Sequence, residues 1–240
     1  MSMNRTPPFW SLISNGEHIV GCTGQTIYIY DINNNLIEKF PKHRYVYTSA
    51  FSPSGDMFAV KSVAGYLAFY SLRDYTLLKK FRFSKVDGSQ DDGFCFNADG
   101  SKFYNIERHT YSYSSALSIY DTKDFTLIKR LFHDDRFTEL CDIEYDAESD
   151  TFYIIGFFRD KKSGVANKRY IAKLVNDILT DIIVISNKEY VNCTEFKNMQ
   201  RFGFSKFANE YFETNPCDKF FEEDWSIANT YINKQNLKQL

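Results

Sequence analysis

One pattern recurs along this chain and limits what it can fold into. The run Tyr28-Ile29-Tyr30-Asp31-Ile32-Asn33-Asn34-Asn35-Leu36-Ile37-Glu38-Lys39-Phe40 returns as Leu67-Ala68-Phe69-Tyr70-Ser71-Leu72-Arg73-Asp74-Tyr75-Thr76-Leu77-Leu78-Lys79-Lys80-Phe81. It returns again as Leu117-Ser118-Ile119-Tyr120-Asp121-Thr122-Lys123-Asp124-Phe125-Thr126-Leu127-Ile128-Lys129-Arg130-Leu131. Each copy is a pair of short alternating apolar runs joined by a turn bearing Asn or Asp, the pattern of a hairpin with one buried face. A weaker copy runs from Tyr170 to Val184.

A second element precedes these hairpins. Ala50-Phe51-Ser52-Pro53-Ser54-Gly55-Asp56-Met57-Phe58-Ala59-Val60 and Cys95-Phe96-Asn97-Ala98-Asp99-Gly100-Ser101-Lys102-Phe103-Tyr104 each read as strand, polar glycine turn, strand. Ile143 to Ile155 repeats the element without its glycine, and Phe9 to Gly21 supplies a first copy around Asn15-Gly16. Combined with the hairpins, they predict units at about 9–42, 45–83, 91–133 and 137–186, with the start of a fifth at 190–197. Four strands per unit at a period of about 40–50 residues is the arithmetic of propeller blades, which manage exposed strand edges by radial repetition. The expected fold is mainly β: a propeller-like array of four-stranded antiparallel blades, four clear and a fifth degenerate.

The phrase Phe51-Ser52-Pro53-Ser54-Gly55 followed by Phe58-Ala59 resembles the inner-strand turn of WD-repeat (transducin-type) propellers, and Tyr30-Asp31 and Tyr120-Asp121 stand where that family carries Trp-Asp. The resemblance covers about three quarters of the chain. It implies a propeller, but no true Trp-Asp pair occurs and no Gly-His opens a repeat. The family's hydrogen-bond network through that His and a turn Asp is therefore not carried over, and the blades are expected to depend more on apolar packing.

Beyond about residue 186 the pattern changes. Phe204, Phe207, Ala208, Tyr211 and Phe212 follow a helical stripe. Asn215-Pro216 then offers a helix start, and Phe221, Trp225, Ala228 and Ile232 follow at helical spacing. Residues 198–240 are read as a C-terminal α-helical segment or a degenerate last blade. Its helices would cap the propeller, dock a partner or join copies in a homo-oligomer.

Composition narrows the function classes. The 29 Lys and Arg against 31 Asp and Glu leave a net charge of −2, so no global field steers the chain to nucleic acid. Met1 to Trp10 lacks a signal-peptide apolar run, and no stretch approaches the about 20 apolar residues that span a bilayer. No membrane partner and a cytoplasmic location are expected. The five cysteines, Cys22, Cys95, Cys141, Cys193 and Cys217, are odd in number and scattered, as buried free thiols are.

No motif announces catalysis. Gly21-Cys22-Thr23-Gly24 lacks the length and the Lys-Ser/Thr of a phosphate loop, and no Gly-x-Ser-x-Gly elbow occurs. No histidine lies at metal-site spacing from another His or a Cys. The acidic runs Asp91-Asp92 and Asp134-Asp135 lack the Asx spacing of a calcium loop. The reading is a non-enzymatic chain with no cofactor and no metal.

Partner-binding residues are expected where the repeat plan puts its loops on one face. Two long second-to-third-strand connections, 107–115 with His109, Tyr111 and Tyr113, and 159–169 with Arg159, Lys161 and Lys162, would emerge there. The inter-blade loops bearing His43, Arg44, Asp91, Asp92, His133, Asp134 and Asp135 would flank them. Tyrosines among Ser and Arg supply rigid amphipathic area with hydrogen-bonding tips. The expectation is a protein–protein interaction module, with a dedicated inhibitor such as an immunity protein as its narrower form. The alternative is a propeller that binds a small ligand or carbohydrate between blades.

Overall fold

The computed structural model describes residues 11–83, 93–109, 114–133, 135, 137–147 and 149–186. They form four sheets, each of four strands in chain order with every neighbour antiparallel. The first holds β1 (Ser11–Ser14), β2 (His18–Cys22), β3 (Ile27–Asp31) and β4 (Leu36–Phe40). The second holds β5 (Val46–Phe51), β6 (Met57–Ser62), β7 (Tyr66–Ser71) and β8 (Leu77–Arg82). The third holds β9 (Phe94–Phe96), β10 (Lys102–His109), β11 (Ser114–Asp121) and β12 (Leu127–Leu131), and the fourth β13 (Thr138–Asp146), β14 (Thr151–Arg159), β15 (Ala166–Val175) and β16 (Ile178–Ile185). First strands pack on one another in sequence, β1 on β5, β5 on β9 and β9 on β13, in a propeller-like arrangement.

Local chemistry dictates the turns. Asn15 Oδ1 accepts from the amides of Glu17 and His18, and Asn97 Oδ1 from that of Lys102, so a short polar side chain closes each first turn. Gly55 and Gly100 follow at φ 72°, where an L side chain is disfavoured. In the outer hairpins Asp31 Oδ1 accepts from Asn33 and Asn35, and Asp121 Oδ1 from Lys123. A register shift falls at the same place in each repeat, at Ile29/Tyr30, Phe69/Tyr70 and Ile119/Tyr120.

The repeat also holds bulky residues in the left-handed region. Tyr75 has φ 55° and Phe125 φ 62°. Each reaches the preceding blade: the Tyr75 hydroxyl lies 3.3 Å from His18 Nε2, and the Phe125 ring lies 4.6 Å from that of Phe69. Inter-blade packing holds a backbone conformation that is costly for an aromatic residue.

Apolar clusters fill the blade interfaces. Ile13, Val20, Ile27, Ile29, Val60 and Tyr70 join the first two sheets. Ala59, Leu67, Phe69, Phe94, Phe96 and Phe103 join the second and third, with Phe69 edge-on to Phe103 at 4.9 Å. Ile106, Leu117, Leu140, Ile143, Ile154 and Tyr170 join the third and fourth. Outer strands keep Leu36, Leu77, Leu78, Leu127 and Ile128 exposed.

The stretches 107–115 and 159–169 are in part hairpin arms: β10 runs to His109, β11 starts at Ser114, β14 runs to Arg159 and β15 starts at Ala166. Long matched registers extend these hairpins, because each side of the turn still finds a cross-strand partner. Apolar packing is also joined by ion pairs to buried carboxylates, described below. Cys22, Cys95 and Cys141 are buried thiols that form no disulfide. The expected fifth blade start at 190–197, the C-terminal helices, Cys193 and Cys217 lie outside the described residues. Among the described residues no helix is long and apolar enough to cross a membrane.

Candidate functional site

The sheets present two distinct ends. Connections from second to third strands meet the inter-blade connectors at one end, where His43 N donates to Gln25 O, Val63 N to Tyr45 O and Arg159 N to Phe137 O. This is the connector face. The first-to-second and third-to-fourth turns lie at the other, the turn face.

The expected contact residues fare differently. His43 Nε2 lies 2.9 Å from the Tyr70 hydroxyl, and burial, followed by the charge of Lys80, pushes its pKa down to about 4. It is a neutral packing group at pH 7. Arg44 is exposed, its guanidinium 5.7 Å from the centre of the Tyr45 ring, and His133 is exposed. Asp135 Oδ1 accepts from the amides of Phe137 and Thr138 and so opens β13. Lys161 and Lys162 are exposed, with the Lys161 ammonium 5.7 Å from the Phe137 ring centre. His109 ends β10, but its side chain lies outside the description. Asp91, Asp92, Tyr111, Tyr113 and Asp134 lie outside the described residues.

Arg159 is committed inward. Its Nε donates to Glu139 Oε2 at 2.8 Å, its Nη1 to Gly164 O at 2.9 Å, and only 10% of its side chain is exposed. Arg159 and Arg169 also flank the Phe157 ring, at 4.9 and 4.7 Å from its centre. The remaining cations of this hairpin, Lys161, Lys162 and Lys168, face solvent.

Sequence reasoning missed the buried polar seam between the second and third blades. Lys61, 2% exposed, donates to Ile106 O at 2.5 Å and Gly93 O at 3.4 Å. Glu107, 1% exposed, receives the Tyr120 hydroxyl at 3.0 Å and pairs with Arg130 at 3.0 Å. Burial first, and then the Glu107 charge, raises the Tyr120 pKa, so the phenol stays a donor. The side-chain amide of Asn105 and Thr48 Oγ1 are buried without a hydrogen-bond partner among the described residues. The signal was present as Phe103-x-Asn105-x-Glu107, where polar residues occupy the positions that face the neighbouring blade.

A second feature opens on the turn face. Where the ends of β5, β9 and β13 converge, Ala50, Phe51, Pro53, Cys95, Phe96, Glu144 and Tyr145 line an open cleft of about 230 Å³. Carboxylates surround its Tyr145 side. The Tyr145 hydroxyl donates to Asp150 Oδ1 at 2.5 Å. That hydrogen bond first, then desolvation and the charges of Asp150, Asp146 and Asp99, push the phenol up to about 12. It remains a hydrogen-bond donor at neutral pH. Among the described residues no group of three or more His, Cys, Asp or Glu is placed to hold a metal ion.

No family model matches the sequence, and no curated protein matches it. Among solved structures, hydrazine synthase from Kuenenia stuttgartiensis is similar, with a TM-score of 0.59 and 14% identity over 75% of this chain and 49% of that one. The likeness is one of fold. It supports the propeller-like arrangement, and this chain spans about half the length of that neighbour.

Proposed function

We propose that this chain is a non-catalytic, propeller-type protein-interaction module. The observation that carries the reading is the division of charge between its two ends. Among the described residues, Lys42, Arg44, Lys161, Lys162 and Lys168 stand exposed on the connector face and outnumber Asp135 and Asp160 there, whereas the turns nearest the axis carry Glu17, Asp56, Asp99, Asp146 and Asp150, with Asp56 paired to Arg73. A net charge of −2 conceals this polarity. Opposed charged faces on a rigid scaffold suit the steering and orientation of macromolecular partners. The ion pairs that hold the buried carboxylates of Glu107 and Glu139, made by Arg130 and Arg159, are explained by blade packing and need no reacting substrate.

Narrower forms of the proposal are a degenerate WD-repeat-like propeller, supported by the Tyr-Asp pairs, and a dedicated inhibitor that plugs a partner's active site. The reduced state of Cys22, Cys95 and Cys141 supports a reducing, cytoplasmic setting. A second reading, a small-ligand binder, is favoured by the cleft, although about 230 Å³ falls below the roughly 300 Å³ at which pockets begin to hold a whole small molecule.

Affinity purification of the tagged chain from its native cells tests the proposal. A connector-face variant (Lys161→Glu, Lys162→Glu, Lys168→Glu) and a turn-face variant (Asp99→Lys, Asp150→Lys) are run beside it, leaving Arg159 intact. A stoichiometric protein lost in one of the two supports the module. A co-purifying small molecule with no protein partner moves the assignment to the second reading.

A further inference from the structure

The third-to-fourth turns share a backbone feature that their own sequences do not favour. Aligned on Leu36, Leu77 and Leu127, residues Asn34, Tyr75 and Phe125 fall at one position, and all three lie in the left-handed region, at φ 64°, 55° and 62°. Asparagine adopts that backbone at little cost, whereas an aromatic residue does not. Asp74 Oδ1 accepts from the Thr76 hydroxyl at 3.0 Å and Asp124 Oδ1 from the Thr126 hydroxyl at 2.7 Å, bonds that shape each turn without calling for a ring between them. Residues 73–80 and 123–130 are exposed except for Tyr75 and Phe125, which are half-buried. Both rings leave their own blade. Tyr75 seats edge-on against His18 of the first blade, ring centres 6.1 Å apart, and Phe125 lies 4.6 Å from Phe69 of the second. In the fourth blade the same turn reaches back through charge, where Asp177, at φ 68°, pairs with Lys129 on β12. The first blade, with no described blade before it, carries asparagine where the second and third carry the aromatic.

We propose that Tyr75 and Phe125 are one-way latches: each turn keeps its left-handed backbone through the seat of its ring on the preceding blade, and release of a ring opens the interface it spans and no other. The fastening always lies on the later blade. Blades therefore close in the order in which the chain is made, and one interface can open while its neighbours stay shut. Backbone strain sharpens the device, because the seated ring offsets a cost that the turn sheds once the ring has left. This property belongs to the scaffold and holds whatever partner the module takes.

Buried thiols report these openings in the full chain. Cys22 lies in the cluster between the first and second blades, and Cys95 in that between the third and fourth. Burial, against a hydrogen bond with Ser49, pushes the Cys22 thiol up to about 12, so its alkylation by iodoacetamide requires the interface to open. Labelling under native conditions is followed at each cysteine by peptide mass mapping. Tyr75→Asn, which tolerates the φ of 55°, is expected to speed labelling of Cys22 about tenfold and to leave Cys95 and Cys141 within about twofold of the parent. Tyr75→Phe keeps the ring and gives up only a hydroxyl contact of 3.3 Å, so Cys22 is expected to label within about threefold of the parent rate. Ala59→Cys places a thiol in the cluster between the second and third blades. In that background Phe125→Asn is expected to speed labelling at position 59 about tenfold while Cys22 keeps its parent rate. Parent-rate labelling of Cys22 in Tyr75→Asn, equal acceleration at Cys22, Cys95 and Cys141, or Tyr75→Phe labelling as fast as Tyr75→Asn overturns the proposal.

Discussion

The ammonium of Lys61 on β6 lies 2.5 Å from the main-chain carbonyl oxygen of Ile106 on β10, so the backbone of the third blade solvates a buried cation of the second. Lys61→Met keeps the stem and removes both the charge and its desolvation, so stability is expected to stay within about 1 kcal/mol of the parent. Lys61→Ala also leaves a cavity and is expected to cost about 2–4 kcal/mol. Urea unfolding midpoints compare the two. If Met proves as damaging as Ala, the charge rather than the stem holds this interface.

Arg159 and Glu139 form the fourth blade's buried pair. Arg159→Ala strips a 1%-exposed carboxylate of its guanidinium and is expected to destabilise by about 3–5 kcal/mol. Lys161→Ala, two residues along and exposed, is expected to change stability by no more than about 0.5 kcal/mol. Equilibrium denaturation of both variants checks the contrast, and comparable losses would show that the hairpin tip is structural as well.

Gly156 faces the same inner strand. A Cβ there would fall 2.1 Å from Glu139 O and 2.7 Å from the Tyr170 hydroxyl, so Gly156→Ala must push β14 off its neighbours. A loss on the order of 3 kcal/mol or failure to fold is expected. Gly164 sits at φ 69° with open space around its would-be Cβ, and Gly164→Ala is expected to cost about 1 kcal/mol through backbone strain alone. Thermal unfolding separates the two outcomes.

His43 couples stability to pH. Its folded pKa of about 4 lies below the unfolded value near 6.5, so between those values the unfolded chain binds the extra proton. Stability from this group is complete above about pH 6.5 and is lost as pH falls toward 4. Allowing for partial solvent exposure, the contribution is on the order of 1–2 kcal/mol. NMR titration of the His43 ring should give the depressed value, and His43→Gln should flatten the stability profile across that window. A ring titrating near 6.5 in the folded protein would refute the linkage.

The four-stranded units were legible because their signals are local. Alternation within Ile27–Asp31, the Asx turn at Asp31 and the glycine at residue 55 act over a few residues, and a copy in each unit makes the pattern additive. The extent of the 107–115 and 159–169 hairpins was not legible, because charged and small residues there pair by register rather than by hydrophobicity. Arg159 reads in sequence as one more surface cation of a basic run. Only the fold brings Glu139, twenty residues earlier, beneath it.

The sequence by itself determined a mainly β chain of repeated four-stranded meanders, since strand alternation and turn chemistry are properties of neighbours along the backbone. The tertiary structure alone decided which polar residues are buried and paired, how charge divides between the two ends, and where the ends of β5, β9 and β13 meet in an aromatic cleft. Those relations join residues tens of positions apart. They arise when blades pack against one another around an axis, a geometry that no local pattern encodes.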